Sequence, residues 1–312
     1  MLPEYTKNSV SVTPLVRYDE VGMTLIIWCF AIYIASLILS AIFLSLLFWY
    51  EATNRPCRAI PPPPYKPLPV FNTIARYFVF HLIRPIITIA WFCLPKPKTS
   101  KSPHPPVILI HGIFSTRTSW YAVFKALVAQ NFTVRTFGYP TLWGSMDATV
   151  ERLESFVQKV KTETHSPKVT IVAHSLGGVV TRYWLAKYPH NYDALSGLIT
   201  LCTPHSGSDV STLLPNPFSK ALNPTSSVIT MIQEQTYEKF PCVAYVTNAD
   251  LLVVPAERLM PPQNWELRVT PPIDHLEILS NAPVIESVIA TIQSQITEQR
   301  HTKPTTEAIQ QN

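Results

Sequence analysis

Glycine is scarce in this chain, which has 8 glycines among its 312 residues but 30 prolines. Glycine is used where a backbone must turn sharply or lie close to another backbone, so each glycine here is informative. Charged residues are also few, at 14% of the chain, whereas hydrophobic residues reach 47%. The length is enough for one domain with a substantial core and an additional segment.

Two further absences limit the possible partners. The net charge of +5 is spread along the chain without a dense basic stripe, so we do not expect a nucleic-acid partner. The 5 cysteines show no metal-ligand spacing, and we expect neither a metal site nor a cofactor. Most of them read as small buried hydrophobic residues. A disulfide between Cys202 and Cys242 would require that their two strands are neighbours.

A long charge-free run follows the N-terminal tail, residues 1–20. Residues 21–50 contain no charged side chain. A helix of this length can cross the hydrocarbon core of a bilayer, and Trp28, Trp49 and Tyr50 suit its interfaces. A cleaved signal peptide would have a shorter apolar run and a small-x-small cleavage site, which is not found after this run. We therefore predict a transmembrane helix.

Proline-rich and apolar segments separate this helix from the rest of the chain. Residues 51–70 include the run "IPPPPYKPLP", which favours an extended spacer. Residues 71–94 are apolar and aromatic but contain two arginines. A second membrane span and an interfacial helix with snorkelling arginines suit this segment equally well. Residues 95–104 are a second linker.

From residue 105 to residue 298, short apolar runs alternate with amphipathic stretches. This alternation predicts an α/β domain with a mostly parallel sheet of about six strands flanked by helices, ahead of a polar tail at 299–312. The expected strands are 107–111, 133–137, 168–173, 195–201, 242–247 and 265–269. The expected helices are 119–129, 146–162, 177–188 and 282–298, with Ser119 as the N-cap of the first.

The stretch "TIVAHSLGGVV" links the third strand to a helix. Its pattern A-x-S-x-G places Ser175 at a strand-to-helix turn with small residues two positions away on each side. Such a turn needs small residues because strand and helix approach closely there. A serine that merely caps the helix fits this stretch as well. The other motifs of the chain favour the interpretation that Ser175 is a nucleophile.

A nucleophilic serine needs a base and a group that orients the base. His275, in a loop after the last expected strand, is the candidate base, and Asp250, just past the preceding strand, is the candidate acid. Both would lie at the carboxyl ends of strands, where parallel sheets place their sites. Asp209 and Asp274 are the rival acids. Asp209 follows an earlier strand, and Asp274 is the immediate neighbour of His275.

Acyl transfer also needs two N–H donors for the tetrahedral oxyanion. We expect these donors to be the backbone amides of Leu176, directly after the serine, and Ile113, in the loop that follows "VILIHG". Gly112 would permit the turn of that loop, and His111 would brace it. Phe114, in the same loop, and His205, in "TPHSGS", are the expected substrate-binding residues.

Together these motifs resemble the α/β-hydrolase superfamily, and within it the bacterial triacylglycerol lipases and related esterases. "ILIHGI" resembles their oxyanion loop, "AHSLGG" their nucleophile turn, and "TPHSGSD" the segment after the next strand. "NADLLVVP" and "DHLEIL" resemble their acid and histidine loops. The resemblance implies a small lid within 211–240. Some relatives bind calcium, but we find no convincing ligand set for it.

The resemblance implies a membrane-anchored serine hydrolase that cleaves carboxylic esters of lipids through an acyl-enzyme on Ser175. A thioesterase, an acyltransferase or a deacylase of a lipid-linked substrate would use the same three residues. A non-catalytic binding protein with this fold is the least favoured alternative. The lysines and arginines that flank the apolar segments do not fix the side of the membrane on which the catalytic domain lies.

Overall fold

A computed structural model of the chain describes residues 18–54, 102–213, 216–250 and 252–301. Residues 1–17, residues 55–70 of the predicted spacer, the apolar segment 71–94 and most of the linker that follows it lie outside these ranges, whereas residues 51–54 of the predicted spacer are helical. The first helix, α1, spans Tyr18–Asn54 and includes the whole predicted transmembrane run. Its window Gly22–Phe43 is long and apolar enough to cross a membrane, although a signal sequence can have the same properties.

Six parallel strands form one sheet, in the order β2-β1-β3-β4-β5-β6. The prediction of a parallel sheet of about six strands is therefore confirmed. Because β1 lies between β2 and β3, the chain crosses over after β2 and then adds each later strand in sequence order. The strands are β1 (Val107–Ile110), β2 (Val134–Phe137), β3 (Val169–His174), β4 (Leu195–Leu201), β5 (Cys242–Val246) and β6 (Glu266–Val269).

Helices cover both faces of the sheet and create two hydrophobic cores. The interior strands β1, β3, β4 and β5 are buried along their whole length, as expected for a parallel sheet between two helical layers. Helices α3 and α4 contribute to one core, and helices α2 and α7 to the other. The helices are α2 (Tyr121–Ala129), α3 (Met146–Thr164), α4 (Leu176–Lys187), α5 (Pro217–Ala221), α6 (Ser227–Gln233) and α7 (Ala282–His301).

Apolar residues of α3 are spaced three and four residues apart, which puts them on one face of the helix. Val150, Leu153, Val157 and Val160 on this face are all buried. A 3₁₀ turn over Arg117–Trp120 precedes α2, and Thr116 caps that turn through its side chain. The prediction of Ser119 as the N-cap is therefore wrong, because Ser119 lies inside the turn that Thr116 caps.

Cys202 and Cys242 are free thiols and do not form a disulfide. Strands β4 and β5 are neighbours, but the register pairs Cys242 with Leu198, whereas Cys202 lies just past the end of β4. Neighbouring strands are thus present, yet this offset keeps the two sulfur atoms from pairing.

Candidate active site

Ser175 lies at the sharp turn between β3 and α4. Its backbone has φ 53° and ψ −124°, a conformation that a residue other than glycine adopts only where its surroundings impose it. Neighbouring elements fix the turn, because the Ser175 amide donates to the Leu201 carbonyl at 2.9 Å and its carbonyl accepts from Gly178 and Thr203. Ser175 is therefore held at the carboxyl edge of the sheet, at the first turn of α4.

Two glycines permit the close approach behind this turn. A Cβ on Gly177 would overlap the Ile110 carbonyl and lie 2.8 Å from the His111 carbonyl oxygen. A Cβ on Gly178 would overlap Thr203 and lie 2.6 Å from its Cγ2 atom. Ala173, where the usual pattern has glycine, is fully buried in β3. Only the positions after the serine exclude a side chain here.

His275 and Asp250 form a buried hydrogen-bonded pair. His275 Nδ1 lies 2.6 Å from Asp250 Oδ2, and both side chains are almost completely removed from solvent. The other carboxylate oxygen of Asp250 accepts hydrogen bonds from the Leu252 and Val253 amides, each at 2.8 Å. The acid is therefore fixed on both oxygens, and with Nδ1 as the donor the Nε2 atom of His275 is left to accept a proton.

Neither rival acid contacts His275 through its carboxylate. Asp209 lies at the surface, where it pairs with Arg258 at 3.1 Å. Asp274 uses its Oδ1 atom to accept from the Leu276 and Glu277 amides, at 2.7 and 2.9 Å. Asp274 thus shapes the loop that carries His275, and Asp250 is the carboxylate that contacts the imidazole.

His174 has a role that sequence reasoning missed. Its Nε2 atom lies 2.9 Å from the backbone oxygen of His275, and the two rings are 4.8 Å apart. The residue before the serine therefore positions the backbone of the candidate base. The signal for this contact was present in the sequence as a histidine beside the serine, but its partner is 101 residues away.

The loop after β1 lies beside Ser175. A Cβ on Gly112 would lie 2.9 Å from that of Ser175, so the loop and the turn touch here. His111 supports the loop, because its Nδ1 atom lies 3.0 Å from the Gly112 carbonyl and its ring stacks on Tyr139 at 4.5 Å. Leu176 is the first residue of α4, so its amide has no partner within the helix. The expected oxyanion donors, Ile113 and Leu176, thus belong to the two segments that flank Ser175.

A cavity of about 310 Å³ opens in front of Ser175 and His275. Its wall is mainly apolar, and Ile113, Phe114 and Leu276 contribute to it on the side of the two loops. The 3₁₀ turn Asp209–Leu213 and the segment around α5 also contribute to the wall. Ser211, Ser219 and Leu222 in this part of the wall lie within 211–240, the interval where the sequence predicted a small lid. Such a cavity suits an apolar chain attached to a reactive group near Ser175.

Comparison with known proteins identifies the fold that carries this site. Residues 105–224 match the family model for the alpha/beta hydrolase fold. The chain also superposes on a Bacillus licheniformis lipase, BlEst2, with a TM-score of 0.54 over 63% of this chain and 96% of that one. Their sequences are 15% identical. The chain has the α/β-hydrolase fold.

Triacylglycerol lipases are among the relatives that the chain matches in sequence. Triacylglycerol lipase 2 of Saccharomyces cerevisiae is 34% identical over 96 residues, which are 29% of each chain. A triacylglycerol lipase of Pseudarthrobacter phenanthrenivorans is 30% identical over 113 residues, 33% of this chain and 34% of the relative. Aspergillus fumigatus lipase B has a TM-score of 0.53 at 14% identity, over 64% of this chain and 55% of that one. The matches thus span about a third of the curated relatives' length.

His205 differs from its expected place at the cavity. It is buried, with Nδ1 3.1 Å from Arg182 and Nε2 3.1 Å from Thr200 Oγ1, while its neighbour Pro204 lines the cavity. Phe114 lines the cavity as expected, and the side chain of His205 instead supports the cavity wall from behind. Burial, and then the charge of Arg182, hold the pKa of His205 well below its usual value.

Arg182 is the centre of a buried polar cluster beside His205. Its guanidinium donates to the Tyr237 hydroxyl at 3.0 Å, to the His205 carbonyl at 3.0 Å and to the Ile232 carbonyl at 2.7 Å. It also lies over the rings of Tyr237 and Trp265. This single side chain therefore ties α4 to α6 and to the segment after β4, which borders the cavity.

Cys202 lies beside Asp250 and His275. Its sulfur, the Asp250 carboxylate and a His275 ring nitrogen lie within 4.8 Å of one another, close enough to offer three ligands to a metal ion. Burial, and then the charge of Asp250, raise the pKa of the Cys202 thiol well above its usual value. A thiol that stays protonated is a poor metal ligand, and the 2.6 Å contact already occupies the facing atoms of His275 and Asp250. The donor set therefore suits an acid–base pair better than a metal site.

Proposed function

We propose that this chain is a serine hydrolase that cleaves carboxylic esters of lipids through an acyl-enzyme on Ser175. The observation that carries the proposal is the buried His275–Asp250 pair, because its histidine lines the same cavity as Ser175, which is held in a strained turn. The similarity to triacylglycerol lipases supports an ester substrate. The mainly apolar cavity supports an acyl chain as part of that substrate.

In the proposed reaction, Ser175 Oγ attacks the ester carbonyl while His275 Nε2 takes the serine proton. The oxyanion accepts hydrogen bonds from the backbone amides of Ile113 and Leu176. His275 then protonates the leaving alcohol, and the C–O bond to that alcohol breaks. Water, deprotonated by His275, then attacks the acyl-enzyme. The bond between the acyl carbon and Ser175 Oγ breaks, His275 gives the proton to Ser175 Oγ, and the acid leaves. Asp250 keeps the imidazole in one tautomer and stabilises its positive charge.

We further propose that α1 anchors the hydrolase in a membrane. Gly22–Phe43 has the length and composition of a span, and the sequence after it lacks a cleavage site for a signal peptide. Large apolar side chains along this helix are exposed, for example Ile26, Ile32 and Leu39. A lipid environment would cover them, and it would also hold the enzyme beside lipid esters.

The experiment that tests the activity is acyl-chain profiling of the full chain in neutral detergent. Wild type should hydrolyse p-nitrophenyl or glyceryl esters, and Ser175→Ala should leave only the background rate. Ser208→Ala is a matched control, because Ser208 lines the same cavity but its hydroxyl is bonded to the Leu252 carbonyl. Equal hydrolysis by wild type and Ser175→Ala would overturn the proposal. Faster cleavage of thioesters than of esters would make the chain a thioesterase. Faster transfer of the acyl group to an added acceptor than to water would make it an acyltransferase that uses the same residues.

A further inference from the structure

A second concave region, lined by arginines, lies apart from the cavity in front of Ser175. It consists of two adjoining cavities of about 460 and about 530 Å³, and both are lined by Arg117, Thr136, Gly138 and Arg152. We call these two cavities the arginine groove. Neither of them shares a lining residue with the cavity in front of Ser175. No residue that touches the ester in the proposed reaction lines the groove.

The two arginines of the groove converge on Gly138. Arg117 packs so closely on this glycine that a Cβ there would lie 2.9 Å from Arg117 Cδ and 3.0 Å from its Nε atom. Arg152, on α3, donates from Nη2 to the Gly138 carbonyl at 3.1 Å. Gly138 does not have the positive φ that would itself favour glycine. One of only 8 glycines in the chain therefore makes room for Arg117 beside Arg152.

The positive charges of this arginine pair have no acidic partner. Among the described residues neither guanidinium forms an ion pair, and the bond to Gly138 leaves other N–H groups of Arg152 available. Both arginines are exposed, so a ligand in the groove can reach them. Lys159 and Glu151 line one cavity with opposite charges, and Lys159 also lies 3.8 Å from Glu163. The arginine pair therefore gives the groove its positive charge.

Paired arginines in an exposed groove match the chemistry of phosphate. A guanidinium presents its N–H groups as a planar fork that fits two oxygens of a phosphate group. A carboxylate carries one charge and is satisfied by one fork, whereas a phosphate monoester carries nearly two charges and can engage both. Thr136, which also lines both cavities, adds a hydroxyl donor.

We propose that the arginine groove binds a phosphate monoester group. The group can be the headgroup of an anionic lipid or part of a soluble phosphate ester, because the arginines recognise the same oxygens in both. A lipid headgroup would lie beside a chain that α1 anchors in a membrane, and a soluble ester would reach the groove from water. This binding does not depend on the proposed ester hydrolysis.

The test is isothermal titration calorimetry on the full chain in neutral detergent at fixed ionic strength. The titrants are glycerol 3-phosphate, a short-chain phosphatidic acid, and the diacylglycerol with the same chains, which lacks the phosphate. All titrations use the Ser175→Ala background, in which the proposed ester cleavage is removed. Phosphatidic acid should bind about tenfold or more tighter than the diacylglycerol. It should also bind tighter than glycerol 3-phosphate if the group belongs to a lipid, whereas a soluble ester predicts that glycerol 3-phosphate binds at least as tightly.

In the same background, Arg117→Gln/Arg152→Gln should weaken binding of the phosphate-bearing titrants by about tenfold or more, because charge-assisted hydrogen bonds are lost. Lys125→Gln/Lys239→Gln is the matched control, since it removes two positive charges from exposed side chains outside the groove and should keep the affinity. Arg117→Gln alone, which breaks no hydrogen bond among the described residues, repeats the test with a smaller change.

Two results would overturn the phosphate site. One is the absence of binding by both phosphate-bearing titrants, and the other is equal affinity with and without the two arginines. Neither result bears on the rate of ester hydrolysis by wild type. The phosphate site and the proposed hydrolysis can therefore fail separately.

Discussion

The carboxylate of Asp250 has little freedom to move. One oxygen contacts His275, and the other accepts hydrogen bonds from two backbone amides. The nearby thiol of Cys202 stays protonated, because its pKa is raised by burial and by Asp250 itself. The negative charge beside His275 therefore belongs to Asp250. A residue that is fixed on both oxygens can orient an imidazole without changing its own position.

Asp250→Asn should lower kcat by about three to four orders of magnitude with a small change in KM. The amide keeps the shape of the side chain, but it presents a donor to His275 and favours the wrong tautomer. Steady-state ester hydrolysis measures the effect.

The matched control is Asp209→Asn, which removes an equal charge from the rival position. Asp209 lies at the surface beside Arg258, and an exposed pair of this kind contributes little. We expect this variant to remain close to wild type in kcat. The assignment of the acid fails if the two variants behave the other way round.

At the scale of elements, the junction of β3 and α4 depends on side-chain volume behind the serine. The sequence pattern predicted small residues on both sides of Ser175. In the structure, the space for a side chain differs between the two sides. Gly177 and Gly178 have backbone or threonine atoms where a Cβ would lie. Ala173 already carries a Cβ and packs in the core. Glycine is thus required only where the helix begins.

Gly177→Ala should destabilise the hydrolase by about 1–3 kcal/mol and reduce activity, because the new Cβ must displace the β1 backbone at Ile110. Ala173→Gly is the comparison at the other side of the serine. It should cost about 1 kcal/mol and leave activity largely intact, because it only adds backbone freedom and removes one methyl group. Chemical denaturation and ester hydrolysis measure both. Equal effects of the two substitutions would refute this account of the turn.

Hydrophobic spacing predicted the elements well because strands and helices bury their residues with different periods. All six strands and the four longest helices after α1 follow from that spacing. The N-cap of the turn before α2 was misplaced because Thr116 and Ser119 are both good caps. Only the three-dimensional geometry shows which hydroxyl faces the free amides.

Contacts between distant residues could not be predicted in the same way. The order Ser175, Asp250, His275 was recognisable, and the structure brings the last two together. The burial of His205 depends on Arg182, which is 23 residues away on another element. Likewise, the histidine beside Ser175 is visible in the sequence, but its contact with the backbone of His275, 101 residues away, is not. Such partners depend on how elements pack, which local patterns do not encode.

For the whole molecule, His205 beside Arg182 should make the free energy of unfolding depend on pH. His205 is neutral in the folded state, because burial and Arg182 hold its pKa well below its usual value. In the unfolded chain it takes up a proton as the pH falls through about 6.5. The unfolded state then binds more protons, so stability is highest above that pH and falls below it.

Melting temperatures from about pH 7.5 to about pH 5.5 should therefore decline more steeply for wild type than for His205→Gln. The glutamine variant has a lower stability throughout, but it lacks this proton uptake. His165→Asn is the control, since His165 is an exposed helix C-cap with φ 52° and asparagine tolerates that conformation. It should keep the wild-type slope. A slope unchanged in His205→Gln would exclude His205 as the cause.

The proposed anchoring of the chain by α1 leads to a second prediction at this scale. Ile32→Arg/Leu39→Arg places two charges in the middle of the apolar window, each at a cost of about 2.5–3.5 kcal/mol for insertion. Wild type should stay in membranes after an alkaline carbonate wash, and the arginine variant should be released. Ile32→Ala/Leu39→Ala should be retained. Retention of the arginine variant would show that another part of the chain holds the protein in the membrane.

The central claim is that Ser175 forms the covalent intermediate, and active-site labelling tests it most directly. The full chain is treated with a fluorophosphonate probe, digested and analysed by mass spectrometry. We predict one adduct, on the peptide that contains Ser175, and its loss in Ser175→Ala but not in Ser208→Ala. Labelling of Ser175→Ala to the same extent as wild type, or an adduct on another residue, would contradict the claim that Ser175 forms the covalent intermediate.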